Sequence, residues 1–140
     1  MTTIPAELRQ RVAARAGGRC EYCQLPQAFQ VATFPVDHIL PLCRGGQTEL
    51  SNLALACPRC NATKWIHTVG RDPTTGDEVE LFDPRRHVWY EHFAWAPSEP
   101  ERIESQTAIG RATVTFLNLN APRHIEIRRW LIAVGEHPPG

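Results

Sequence analysis

Surplus charge of either sign is missing from this chain: its 140 residues carry 15 Lys and Arg against 15 Asp and Glu, a formal net charge of zero. A basic excess that would release counterions from a polyanion is therefore not available from the sum. Lysine itself is nearly absent, since 14 of the 15 basic residues are arginine. The planar arginine fork suits bidentate contacts to phosphate, so the local distribution of charge matters more than its total. No apolar run approaches the ~20 residues of a membrane span, and the opening stretch Met1-Thr2-Thr3-Ile4-Pro5 lacks the basic start and apolar core of a signal peptide. The expectation is a cytoplasmic protein with no membrane partner. There is no internal repeat and no low-complexity tract, which leaves a single domain over residues 1–140, small enough for a metal staple to help its core.

Cysteine is present in pairs. Cys20/Cys23 and Cys57/Cys60 are two Cys-x-x-C turns separated by 33 residues, and Cys43 is left over. In a reducing compartment paired cysteines bind metal more often than they form disulfides. Two thiolates two residues apart can hold one metal from a single turn, and two such turns complete the tetrahedral sulfur set that Zn²⁺ favours. Four sulfurs close the sphere, so this zinc is structural. Any chemistry belongs to the polar residues lying among the cysteines: Asp37, His38, Asn52 and Asn61. Cys43, without a partner, reads as a small loop residue.

The stretch from Cys20 to Lys64 resembles the HNH endonuclease family. The residues that carry the likeness are Asp37-His38-Ile39 at the end of a first strand, Gly45-Gly46 in a loop, Asn52-Leu53 entering a second strand, and Cys57-Pro-Arg-Cys60-Asn61-x-x-Lys64 opening a helix. Where the family name has its third letter, this chain has Asn61, an H-N-N variant. The resemblance implies an α+β fold built on a zinc-stapled ββα-metal (His-Me) finger, with an N-terminal helix, a small antiparallel sheet and C-terminal helices. The core would span 20–67 and accessory strands and helices 68–135.

Phosphodiester hydrolysis needs a base for water, a cation for the charge on the scissile phosphate, and a frame that fixes both. His38 is the candidate base, because neutral imidazole titrates near the working pH. Asp37 is a hard oxygen ligand for Mg²⁺ or Mn²⁺, and Asn61 offers an amide oxygen from the facing helix. Adjacent strand residues project to opposite faces, so Asp37 and His38 share a site only if the strand end bends. In the family Asn52 braces the loop and the histidine. Arg44 and Lys64 are candidate phosphate contacts. The expected function is metal-dependent cleavage of DNA, with RNA left open as a substrate. The competing reading is a catalytically silent zinc-bearing module that binds nucleic acid or protein.

The remaining expectations follow local pattern. Pro5 to Ala16 reads as a helix stopped by Gly17-Gly18, with Ile4, Leu8 and Val12 at helical spacing and Arg9, Arg11 and Arg15 on its polar face. Phe29 to Val36 and Leu53 to Ala56 read as strands, and Pro58 to about His67 as a helix. Asn61 and Lys64 share a face of that helix. Further on, 71–76 is a loop or hairpin tip, Glu78 to Phe82 a strand, His87 to Trp95 a second and Arg102 to Ser105 a third. Thr107 caps a helix from Ala108 to about Leu119, and a last helix runs from Pro122 through Val134. Trp89, Phe93, Trp95 and Trp130 read as core, and Arg85-Arg86, Arg111, Arg123 and Arg128-Arg129 as solvated charges.

Overall fold

A computed structural model describes residues 3–140; Met1 and Thr2, the start of the stretch weighed as a leader, lie outside the described residues. The fold is α+β, with three two-stranded antiparallel sheets, five α-helices and three short 3₁₀ helices among the described residues. None of these helices is long and apolar enough to cross a membrane. The chain divides into two compact units: one runs to Thr68 and takes in Asp83–Arg86, and the other comprises Val69–Phe82 and His87–Gly140.

In the first unit, helix α1 spans Ala6–Arg15. Ile4 and Val12 are its buried anchors, and Gly17 and Gly18 end it with φ of 63° and 70°, values that cost glycine least. Arg15 does not face solvent as a free cation: its guanidinium donates to the carbonyls of Leu50 at 2.8 Å and Leu53 at 2.5 Å, tying the helix to the segment that enters β2. Strands β1 (Val36–His38) and β2 (Leu53–Leu55) pair antiparallel, with Asp37 opposite Ala54 and His38 opposite Leu53. All three β2 residues are buried, and full burial of each leucine is worth roughly 1.5–3 kcal/mol.

The expected strand from Phe29 to Val36 is corrected. Gln27–Phe29 forms a 3₁₀ turn, pairing starts only at Val36, and Phe29 and Val31 are exposed. β-Branched composition alone does not make a strand where no partner edge is offered.

Helix α2 covers Pro58–Lys64, shorter than expected. It ends because Trp65 adopts φ 47°, ψ −116°, and the His67 amide closes a turn on the Lys64 carbonyl at 2.9 Å. Those angles are close to the first central position of a type II′ turn, where glycine is the favoured residue. A tryptophan there stores strain of about 1–3 kcal/mol.

In the second unit, β3 (Val69–Arg71) and β4 (Glu78–Glu80) form a hairpin, and β5 (Phe93–Trp95) pairs with β6 (Ile103–Ser105). The expected strand from His87 is corrected as well: Trp89–His92 is a helical turn, α3, and only Phe93–Trp95 is extended. Helix α4 (Ala108–Leu117) starts at Thr107, whose hydroxyl accepts the Gly110 amide at 3.0 Å, and it packs on β3, β4 and β6. Arg111 grips the buried Asp72 with two bonds of 2.9 and 2.8 Å. Helix α5 spans Pro122–Ala133 and buries Arg128, whose guanidinium caps the Leu119 carbonyl at 3.0 Å. Trp89 and Phe93 are buried as expected, whereas Trp130 is 59% exposed and is not core.

Candidate functional site

Cys20, Cys23, Cys57 and Cys60 are all buried, with their sulfurs within 4.8 Å of one another. The Cys23 and Cys57 sulfurs stand 3.7 Å apart. Zinc–sulfur bonds of ~2.3 Å in a tetrahedron set sulfurs about 3.8 Å apart, so the donor set fits zinc in both element and spacing. Each pair is pre-bent by its own backbone, the Cys23 amide pointing at the Cys20 sulfur (3.4 Å) and the Cys60 amide at the Cys57 sulfur (3.3 Å). Without a cation the four cannot ionise together: bonding to Cys20 holds Cys57 far below the ordinary thiol range, while burial pushes Cys23 well above it. A divalent ion removes that conflict by stabilising the thiolates. This is the one cluster of its kind among the described residues.

The frame delivers a second, polar arrangement. Asp37 is 3% exposed, and its Oδ2 accepts the Tyr22 hydroxyl at 2.7 Å and faces the Lys64 ammonium at 3.0 Å. Lys64 is 1% exposed and donates as well to the Ile39 carbonyl at 3.0 Å. Its ammonium is thus consumed inside the unit rather than presented to solvent, and it joins α2 to β1 on either side of His38. Burial raises the Asp37 carboxyl above its ordinary range, opposed by Lys64. Burial also raises the Tyr22 phenol, helped by the neighbouring Asp37, so Tyr22 is a hydrogen-bond donor there. Asn61 sits one turn before Lys64, half-buried, its side chain without a hydrogen-bond partner among the described residues.

His38 is half-buried and its Nε2 lies 2.9 Å from the Thr48 hydroxyl. Burial lowers its pKa below the ordinary 6.5, with Asp37 acting in the opposite direction. The loop that carries Thr48 is tied by Asn52, whose amide nitrogen donates to the carbonyls of Leu40 (3.0 Å) and Gln47 (2.9 Å) while its oxygen accepts the Leu40 amide (2.9 Å). The bracket needs Gly46: a Cβ there would lie 1.8 Å from the Leu40 carbonyl oxygen and 2.9 Å from the Asn52 amide nitrogen. Arg44 lies in the same loop, exposed, its guanidinium donating to the Thr68 hydroxyl at 2.8 Å. Cys43 beside it is a free, exposed thiol.

The sequence pointed to His38, Asp37, Asn52, Asn61, Arg44, Lys64 and the four cysteines, but not to Tyr22 or Thr48, which bond Asp37 and His38. Tyr22 had a usable signal, since it lies inside the first Cys-x-x-C turn, whose cysteines are themselves buried. Thr48 had none.

Charge is not spread evenly. The unit holding this site has nine basic and five acidic residues, a net +4, and the other has six and ten, a net −4. In the second unit Arg111, Arg123 and Arg129 are each paired with a carboxylate. In the first, Arg11, Arg44 and Arg59 are exposed and have no carboxylate partner among the described residues.

No curated protein and no solved structure gives a significant match to the chain. Residues 20–65, the span that contains the four cysteines, the β1–β2 pair and α2, match the HNH endonuclease family.

Proposed function

We propose that the protein is a metal-dependent HNH endonuclease that hydrolyses phosphodiester bonds in DNA, built on a zinc-stapled ββα-metal finger of β1, β2 and α2 over residues 20–65. The observation that carries this reading is the Lys64 bridge. One ammonium reaches both the Asp37 carboxylate and the Ile39 carbonyl, which fixes the backbone around His38 against the helix that bears Asn61. In the tautomer that donates Nε2–H to Thr48, the His38 Nδ1 carries the lone pair that takes a proton from water. Burial favours the neutral ring, the form a base requires. Asn52 holds the loop, and so the orientation of the ring. Asn61 offers an amide oxygen to a Mg²⁺ or Mn²⁺ ion, and Asp37 offers its second carboxylate oxygen, the one not taken by Tyr22 and Lys64, once its buried side opens to the ion. When bound, the ion polarises the scissile phosphate and its leaving oxygen. The +4 unit supplies phosphate contacts, with Arg44 as the candidate nearest in chain to the site loop.

The test compares plasmid nicking rate and DNA affinity for the wild type and His38→Ala at one fixed salt concentration. Loss of a general base costs ~10²–10⁴-fold in rate, while affinity, which rests on cations, changes little. That outcome supports the nuclease. Undiminished cleavage by His38→Ala means another residue is the base. Equal affinity with no cleavage by either protein, across Mg²⁺, Mn²⁺ and several DNA substrates, establishes the silent binding module instead.

A further inference from the structure

Trp65 occupies a backbone position that favours glycine, at φ 47° in the turn that follows α2. Burial does not offset the strain, because the side chain is 66% exposed. Its ring neighbour His67 meets it edge-on at a centroid distance of 5.9 Å and leaves a face to solvent. The turn is nonetheless rigid at its base: Lys64, the preceding residue, is anchored on Asp37 and Ile39, and the Trp65 amide donates to the Asn61 carbonyl at 3.0 Å. Three residues after Trp65, Thr68 accepts a hydrogen bond from the Arg44 guanidinium. Arg44 has no carboxylate partner among the described residues.

A solvent-facing indole in a turn that leads to Thr68, the residue the Arg44 guanidinium bonds, in a unit of net +4, has the chemistry of a single-stranded nucleic-acid site. Bases stack on the aromatic face and a cation tracks the backbone phosphate. Duplex DNA buries its base faces in its own stack and offers none to Trp65. We propose that Trp65 is a stacking platform for an unpaired nucleobase, with Arg44 on the adjoining phosphate, so that the protein engages DNA containing a single-stranded segment. The inference rests on the nucleic-acid reading above and gives its substrate class.

The full chain is labelled with 5-fluorotryptophan and titrated, without added divalent ion, with a single-stranded oligodeoxynucleotide and with the same sequence as a blunt duplex. The Trp65 ¹⁹F resonance, assigned by its disappearance in Trp65→Phe, shifts with the single strand and stays in place with the duplex. Trp65→Ala weakens single-strand binding roughly 5–150-fold, the loss of one stacked base, and leaves duplex binding nearly unchanged; Trp65→Tyr retains most of it. Trp65→Gly, which also relieves the turn, shows the same loss in a protein that melts no lower than the wild type, separating stacking from folding. Equal losses on both DNAs, or no loss on the single strand, overturn the proposal. Because these are binding measurements, they stand whatever His38→Ala does to cleavage. A Trp65 result that fails while cleavage still depends on His38 rejects the stacking site alone.

Discussion

Replacing Lys64 by methionine keeps the length of the side chain and removes its charge. In the folded protein the ammonium is 3.0 Å from Asp37 Oδ2, and the two side chains are 2% and 5% exposed, so neither charge is screened by water. Removing one partner of such a pair strands the other, at a cost of ~3–5 kcal/mol, and the Ile39 carbonyl loses its donor in the same step. Against a total stability of roughly 5–15 kcal/mol for a typical domain, Lys64→Met should leave the first unit close to unfolding. Asp37→Asn in the same chain should recover part of the loss, since removing both charges of a buried pair is often nearly neutral. The assay is urea unfolding at fixed free zinc, followed by the ¹⁹F signal of Trp65, the one tryptophan in that unit. A Lys64→Met protein that loses less than ~1 kcal/mol, the scale of an exposed pair, and instead binds DNA more weakly would refute the buried bridge and return Lys64 to a phosphate.

Cys57→Ser should reduce zinc from about one ion per chain and unfold the first unit rather than merely slow it, because the metal's binding energy is folding energy. Metal analysis and circular dichroism check this, and a fully folded, zinc-free wild type would contradict it. Gly46→Ala forces apart atoms that would meet at 1.8 Å, so it should cost ~1–3 kcal/mol in thermal melts and lower nicking by disturbing the loop that holds Thr48 against His38. The cleavage rate should fall with acidity through a midpoint below 6.5, since burial lowers the pKa of His38 and the base is lost only once it takes a proton. A rate profile with its acid limb centred above 6.5 would exclude His38 in that role.

The four-cysteine cluster was legible because its information is local: Cys-x-x-C spacing dictates a chelating turn whatever surrounds it. The Asn52-Leu53 and Asp37-His38 positions were legible through family resemblance, and the hydrogen bonds of Asn52 give that pattern its physical content. Lys64 shows where local reasoning stops. Helical period puts it on the face of Asn61, but only the hairpin lying over that face turns a surface cation into a buried one. Val31 and Trp130 failed in the opposite direction, their apolar side chains left in solvent because no neighbouring element covers them. The neutral net charge misled most as a sum. It is the balance of a +4 unit and a −4 unit, visible only once the boundary at Thr68 is known.

That boundary is crossed more than once. After leaving the first unit at Thr68 the chain forms the β3–β4 hairpin, returns for four residues, Asp83–Arg86, and departs again. The returning piece carries Arg85, which pairs with Glu21; Glu21 in turn accepts the Leu55 amide at 2.8 Å, holding the first cysteine turn against β2. Burial raises the Glu21 carboxyl above its ordinary range, so without the guanidinium that residue is driven towards its protonated form. A fragment cut after residue 68 would therefore contain every residue that matches the family and still lack the guanidinium that pairs with Glu21 beside the first cysteine turn. The first unit is discontinuous in sequence, and a gene fragment that encodes it must either run past residue 86 or splice that tetrapeptide back in.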